Sequence, residues 1–232
     1  MKSIKNFIFT IITIIIIFAG IKIHEGYAVY QTAINNMSIK ERISKIKENP
    51  NFTEYANLPQ DYINAVIAVE DRRFFSHNGI DIISITRAIF IDLKHMKLEE
   101  GGSTITQQLA KNTYFTQEKK MTRKIAEIFM AFEYEKNCTK EEIFELYVNT
   151  SYFGDGYYCV KDASEGYFDK LPKDMNLYEC TLLAGIPNAP SVYAPTKNPD
   201  LAKQRQAQVL RKMVAQGDLT QDEANQIIAT DE

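Results

Sequence analysis

The apolar run from Phe7 to Ile23, F-I-F-T-I-I-T-I-I-I-I-F-A-G-I-K-I, limits the possible folds more than any other stretch of this chain. Two Thr interrupt it, and Lys22 near its end can snorkel to an interface. As a helix it can cross a bilayer. Lys2 and Lys5 precede the run and little that is basic follows closely. The positive-inside rule therefore puts the N-terminus in the cytoplasm and everything after residue 24 outside. A cleaved signal peptide is the competing reading, but the run is long for the apolar region of one and no small-x-small site follows it. The expected organisation is a tail at 1–6, an anchor at 7–23, a linker or neck at 24–56 and one folded body at 57–232.

That body can hold a real core: the chain has 232 residues, 45% of them hydrophobic and 25% charged. A net charge of −3 excludes an overall field for nucleic acid, so basic residues count only where they cluster. Cys138, Cys159 and Cys180 are odd in number and lack metal-site spacing, which predicts small buried residues rather than a disulfide framework or a zinc site. Strand signals are scarce and helical periodicities recur, so the fold class is mainly α.

The most informative helix runs through Y-I-N-A-V-I-A-V-E-D-R-R-F-F-S-H-N-G, Tyr62 to Gly79. Ile63, Val66, Ile67 and Glu70 fall at i, i+3, i+4 and i+7, so a carboxylate completes an otherwise apolar stripe. Desolvation there favours the protonated form and makes Glu70 a candidate proton acceptor. A partly buried Glu paired with Arg72 or Arg73 is the plainer alternative. Pro59 suits the first turn and Asp61 the positive end of the dipole, which predicts a start near Leu58.

Further on, I-D-I-I-S-I-T-R-A-I-F-I-D-L-K-H-M-K-L is apolar on more than one face and fits either a buried helix or one dipping into lipid headgroups. In E-E-G-G-S-T-I-T-Q-Q-L-A-K-N, Ser103 or Thr104 caps a helix whose first N–H groups point outward, as at helix starts that hold anions. Thr104, Gln107, Gln108 and Lys111 share a polar stripe, a solvated face or a binding face. A basic cluster, Lys119, Lys120, Arg123 and Lys124, opens a helix whose expected core stripe is Ile125, Ile128, Phe129 and Phe132. Glu127 then points outward with Arg123, Met130 and Tyr134. Thr139 and Glu142 form a capping box, and Gly154 and Gly156 mark a tight turn.

E-D-R-R-F-F-S-H-N-G, G-G-S-T-I-T-Q-Q-L-A-K-N, R-K-I-A-E, the segment Tyr147 to Gly156 and L-L-A-G-I-P-N-A-P-S-V-Y resemble, in order and spacing, the successive motifs of the peptidoglycan glycosyltransferases, glycosyltransferase family 51. The resemblance covers about residues 57–200. It implies a mainly α, lysozyme-like helical head with a smaller membrane-proximal jaw at about 87–122, preceded by one transmembrane helix. The chain ends soon after the last motif, so the expected form is monofunctional, without a penicillin-binding transpeptidase domain.

The implied reaction polymerises lipid II into glycan strands, inverting the donor's anomeric centre and releasing undecaprenyl pyrophosphate. By similarity, Glu70 is the general base and Glu127 the second glutamate of the site. Lys111, Arg123 and Lys119 stand where the family places cations near the phosphates. Ser103, Thr104, Gln107 and Gln108 line the donor groove, with Asp71, Arg87 and Asn149 as further contributors; His77 is read as structural. No protein-bound metal is expected, although Mg²⁺ or Mn²⁺ can share the pyrophosphate charge through phosphate oxygens. The implied partners are lipid II, the growing glycan chain, the membrane and other cell-wall synthesis proteins, with no nucleic acid, and moenomycin is the implied inhibitor. Cys159, Cys180 and Asp169 depart from small residues or Gly usual in the family. The competing functions are a lysozyme-like glycan-cleaving enzyme, which would not need the cations or the anchor, and a non-catalytic anchored scaffold.

Overall fold

The computed structural model describes residues 2–95, 101–116, 118 and 120–229. Among the described residues the regular structure is helical, with no strand. The first helix, α1 (Lys2–Asn36), is long and apolar enough to cross a membrane. At 1.5 Å per residue its 35 residues reach about 50 Å, well beyond a hydrocarbon core of about 30 Å. The surplus is used on the body.

Gly26 and Tyr30 of α1 are buried against α6 (Met121–Asn137). The rings of Tyr27 and Tyr30 sit 5.2 and 5.7 Å from that of Phe129. A Cβ at Gly26 would lie 2.6 Å from Ile125 Cβ, so only glycine allows this approach. Gly26→Ile is expected to prise the helices apart and lower stability by about 1–3 kcal/mol. Thermal unfolding of the detergent-solubilised chain checks this, and an unchanged transition would reject the seam.

Residues 24–56, expected as a neck, are thus built into the body. No proline falls between Ile23 and Asn36, and α2 (Ile39–Lys47) follows at once from a Ser38–Glu41 capping box. The next loop is clamped by long-range hydrogen bonds. Asn51 Nδ2 donates to Asp162 Oδ1 at 2.6 Å, and the Tyr55 backbone N–H donates to Glu145 Oε2 at 2.8 Å.

At the centre lies α3 (Gln60–Glu70). Every residue from Tyr62 to Val69 except Asn64 is buried, the mark of a helix covered all round. Its neighbours are α9 (Leu177–Gly185) and α11 (Pro199–Gln216). Pro59 occupies the extended cap position rather than the first turn, so α3 starts two residues later than expected. α4 (Ile82–His95) leaves Ile82 and Ile83 exposed. α5 (Ile105–Tyr114) packs on α6 and on α7 (Lys140–Val148). Its Ile105, Leu109 and Ala110 join the same core as α3, so this part of the expected jaw belongs to the head.

α6 is turned relative to the expectation. Its most buried positions are Ala126, Glu127, Met130, Ala131 and Tyr134, whereas Ile125 and Phe129 face α1. An apolar stripe identifies a packed face without saying which partner it meets. Glu127, expected outward, is therefore inside.

The departures from the family pattern are local. Cys159 caps α8 (Val160–Phe168), its Sγ accepting from the Asp162 N–H at 3.4 Å. Asp169 ends the same helix at φ 54°, a left-handed position that glycine adopts with least strain and Asp tolerates. Burial raises the thiols of Cys180 and Cys138 to about 12, and that of Cys159 to about 11. The remaining helices are α10 (Pro190–Tyr193) and α12 (Gln221–Ala229), the latter covering Leu210 of α11 with Ala224 and Ile227.

Candidate active site

Glu70 and Asp71 stand at the C-terminal end of α3, where the helix dipole is negative and the last carbonyls lack intrahelical partners. Two acids there are poorly placed unless cations come from elsewhere. They come from α11. Lys212 Nζ donates to the Val69 carbonyl at 3.0 Å, and Arg205 Nη2 approaches Glu70 Oε1 at 3.6 Å. The partner of Glu70 is thus neither Arg72 nor Arg73. Arg73 is 2.8 Å from Asp81, and Arg72 reaches the wall of a cavity.

That cavity has a volume of about 650 Å³ and is bounded by the end of α3, the start of α4, the stretch Gly101 to Thr104, α5, α10 and α11. Glu70, Asp71, Arg87, Ser103, Thr104, Gln108 and Lys111 line it, joined by Arg72, Tyr193, Arg205, Gln208 and Lys212. The Glu70 side chain is 9% exposed. Its Oε2 accepts from Gln108 Nε2 at 2.6 Å, and Gln108 Oε1 lies 3.5 Å from the buried Tyr147 hydroxyl. Burial, then the charge of Glu70, pushes the Tyr147 phenol well above its usual range, so it stays a neutral donor.

Asp71 does not reach for a ligand. Both its oxygens lie 2.9 Å from His77 Nε2, and its Oδ2 also accepts the Ile105 N–H at 3.0 Å. The N-terminus of α5, expected to offer free N–H groups, is thus occupied by a carboxylate of the protein itself. Thr104 caps the Gln107 N–H at 3.1 Å, while Gln107 Oε1 accepts the Thr104 N–H at 3.0 Å. Gln107 is spent on this box and does not line the cavity. His77 holds Asp71 in place. Asp81 is held down at about 2: burial opposes ionisation, but hydrogen bonds from Arg73 and the Ser84 N–H outweigh it.

Behind Lys111 lies a second charged group. Glu127, 1% exposed, accepts from Arg123 Nη1 on Oε1, and Lys124 Nζ stands 2.9 Å from its Oε2 as an ion pair. Lys124 also donates to Ser103 Oγ, and Arg123 to the Glu118 carbonyl. Lys111 senses the negative charges of Glu127 and Glu70 and the positive ones of Lys124 and Arg123. Burial, the largest influence, and these neighbouring cations hold its ammonium below the usual lysine range.

Asn149 falls elsewhere. It is buried, accepts the Thr53 N–H and donates to the Thr53 and Glu145 carbonyls, each at 2.8 Å, so it clamps a loop. Lys119 lies outside the described residues. Arg205 and Lys212 escaped the sequence reading, although Arg205, Gln208 and Lys212 fall at i, i+3 and i+7 on one helix face. Among the described residues no three His, Cys, Asp or Glu side chains converge as a metal cage.

The profile of the transglycosylase family matches residues 36–214, which contain every charged residue lining this cavity. The chain belongs to the transglycosylase family. It is 39% identical over 183 residues to a protein of Cupriavidus necator named as a transglycosylase, covering 79% of each chain. It is 42% identical over 184 residues to penicillin-binding protein 1F of Bacillus subtilis, covering 79% of this chain but only 26% of that larger protein. The crystal structure of penicillin-binding protein 1A from Haemophilus influenzae matches 76% of this chain and 17% of that one, at 21% identity and a TM-score of 0.46. As a transglycosylase the chain is a glycosyltransferase.

Proposed function

We propose that this transglycosylase polymerises lipid II, with Glu70 as general base and the Lys111 side of the cavity as the pyrophosphate site. The observation that carries this is a clamped carboxylate and a half-buried lysine on the walls of one cavity. The 4-hydroxyl of the acceptor sugar attacks C1 of the growing chain, forming the new glycosidic bond as its proton passes to Glu70. The bond from C1 to the phosphate oxygen breaks, and C1 inverts. Negative charge then grows on undecaprenyl pyrophosphate. Lys111 meets it directly, and Arg123 and Lys124 hold the electrostatic environment behind it. A single displacement needs one base and room for a nucleophile, here a sugar hydroxyl rather than water. Mg²⁺ or Mn²⁺ bound through phosphate oxygens would add to the neutralisation, since the cavity's carboxylates are already engaged. We infer that α1 crosses the membrane once with its N-terminus in the cytoplasm, which puts the cavity on the outer side, where lipid-linked sugars can reach it.

The deciding experiment incubates purified protein with labelled lipid II, with and without moenomycin, and separately with finished peptidoglycan. Long glycan and free undecaprenyl pyrophosphate are expected, with the finished wall uncut. Digestion of the finished wall without polymer formation would overturn the reading.

The state of Lys111 adds a pH test. Its lowered proton affinity means that the ammonium is lost on the alkaline side earlier than for an ordinary lysine, taking the attraction for pyrophosphate with it. KM for lipid II is expected to rise as pH increases toward 10. In Lys111→Arg, whose side chain stays charged, that rise should vanish. A KM that is flat with pH in the unaltered protein would contradict this.

A further inference from the structure

We propose that Arg205 is a positioning residue for Glu70, delivered through a slot that exists because residue 185 is glycine. This rests on the reading of Glu70 as the base and adds a residue 135 positions away that no family motif quoted above contains. Three of its contacts fix the guanidinium plane. Nε faces the Gly185 carbonyl at 3.3 Å, Nη1 donates to Gln208 Oε1 at 2.9 Å, and the Tyr193 ring centre lies 5.8 Å from Cζ. The remaining nitrogen, Nη2, is thereby aimed at Glu70 Oε1, 3.6 Å away. Both side chains are about nine-tenths buried, so the contact is between desolvated charges.

Glu70 is held from two sides. Gln108 grips Oε2 by a hydrogen bond, and Arg205 faces Oε1 through charge. Gln108 alone leaves the carboxylate able to turn about its last torsion, which is a soft sp³–sp² rotation. Arg205 removes that freedom and supplies the countercharge that the end of α3 lacks. Its aliphatic stem crosses α9 at Gly185, where an added Cβ would stand 2.9 Å from Arg205 Cγ. Because Cγ lies near the root of the side chain, the whole guanidinium would have to move.

Three variants test this with the full chain in detergent and lipid II as substrate. Arg205→Gln is expected to lower kcat about 100-fold, the scale of a misplaced catalytic group, with KM changed less than about threefold. Millimolar guanidinium should restore part of kcat, and Arg205→Lys should be intermediate, keeping the charge but losing the fork. Gly185→Ala alters no charge and touches no substrate, yet should lower kcat about tenfold by displacing Arg205. Wild-type kcat in Arg205→Gln, or a loss confined to KM, would overturn the proposal. If Arg205→Gln does not fold, Gly185→Ala decides, and normal kcat there overturns it too. Glu70→Gln, run in parallel, separates the two readings. If it stays active, the assignment of the base fails; if it is inactive while Arg205→Gln and Gly185→Ala turn over normally, only the role of Arg205 fails.

Discussion

Glu70→Gln is expected to lower glycan synthesis by about 10²–10⁴-fold, the range spanned by loss of a general base, while leaving the fold intact. The amide keeps the shape of the side chain and its contact with Gln108. It also removes a negative charge from the negative end of α3, so the loss of contact with Arg205 is partly offset. Stability should stay within about 1 kcal/mol of the unaltered chain. Labelled lipid II resolved by polymer length gives the rate, and far-UV circular dichroism gives the fold. Polymer formed at the original rate would remove Glu70 from the chemistry and require another group as the base.

Glu127→Gln should damage both rate and stability. Its carboxylate is 1% exposed and faces two cations, Arg123 and Lys124. A neutral amide offers one acceptor where two charged ones stood, leaving Lys111, Arg123 and Lys124 as neighbouring positive charges with Glu70 as the remaining acid acting on Lys111. Removing one member of a fully buried ion pair costs about 3–5 kcal/mol; here Arg123 and Lys124 are partly solvated, so about 1–3 kcal/mol is expected. That corresponds to a fall of several degrees in the thermal midpoint for a chain of this size. Activity should fall at least about tenfold as the pyrophosphate site loses its arrangement. A melting curve superimposable on that of the parent chain would show that the three cations do not depend on Glu127. A surface i, i+4 pair, by contrast, would be worth only a few tenths of a kcal/mol.

The same residue shows where reading the chain reached its limit. What the sequence by itself determined is local. The apolar run of α1, the Glu70 stripe of α3 with Ile63, Val66 and Ile67, the capping box at Thr139 and a helix cap at Ser103 or Thr104 were all legible. Each of these signals is written within a few turns of helix, where a period of 3.6 or a reach of three residues decides the outcome.

Tertiary structure alone decided which face meets which partner. α6 is apolar on two sides because one packs on α1 and the other on the core, so periodicity could not say that Glu127 points inward. The amide of Gln107 and the side chain of Asn149 were of the right type for a polar groove, but local and long-range hydrogen bonds took them for structure. Arg205 reaches Glu70 only because α11 folds back across the end of α3 and Gly185 leaves the path open. Pairings between residues so far apart in the chain leave no local periodicity, because the forces that select them act only once the core has closed.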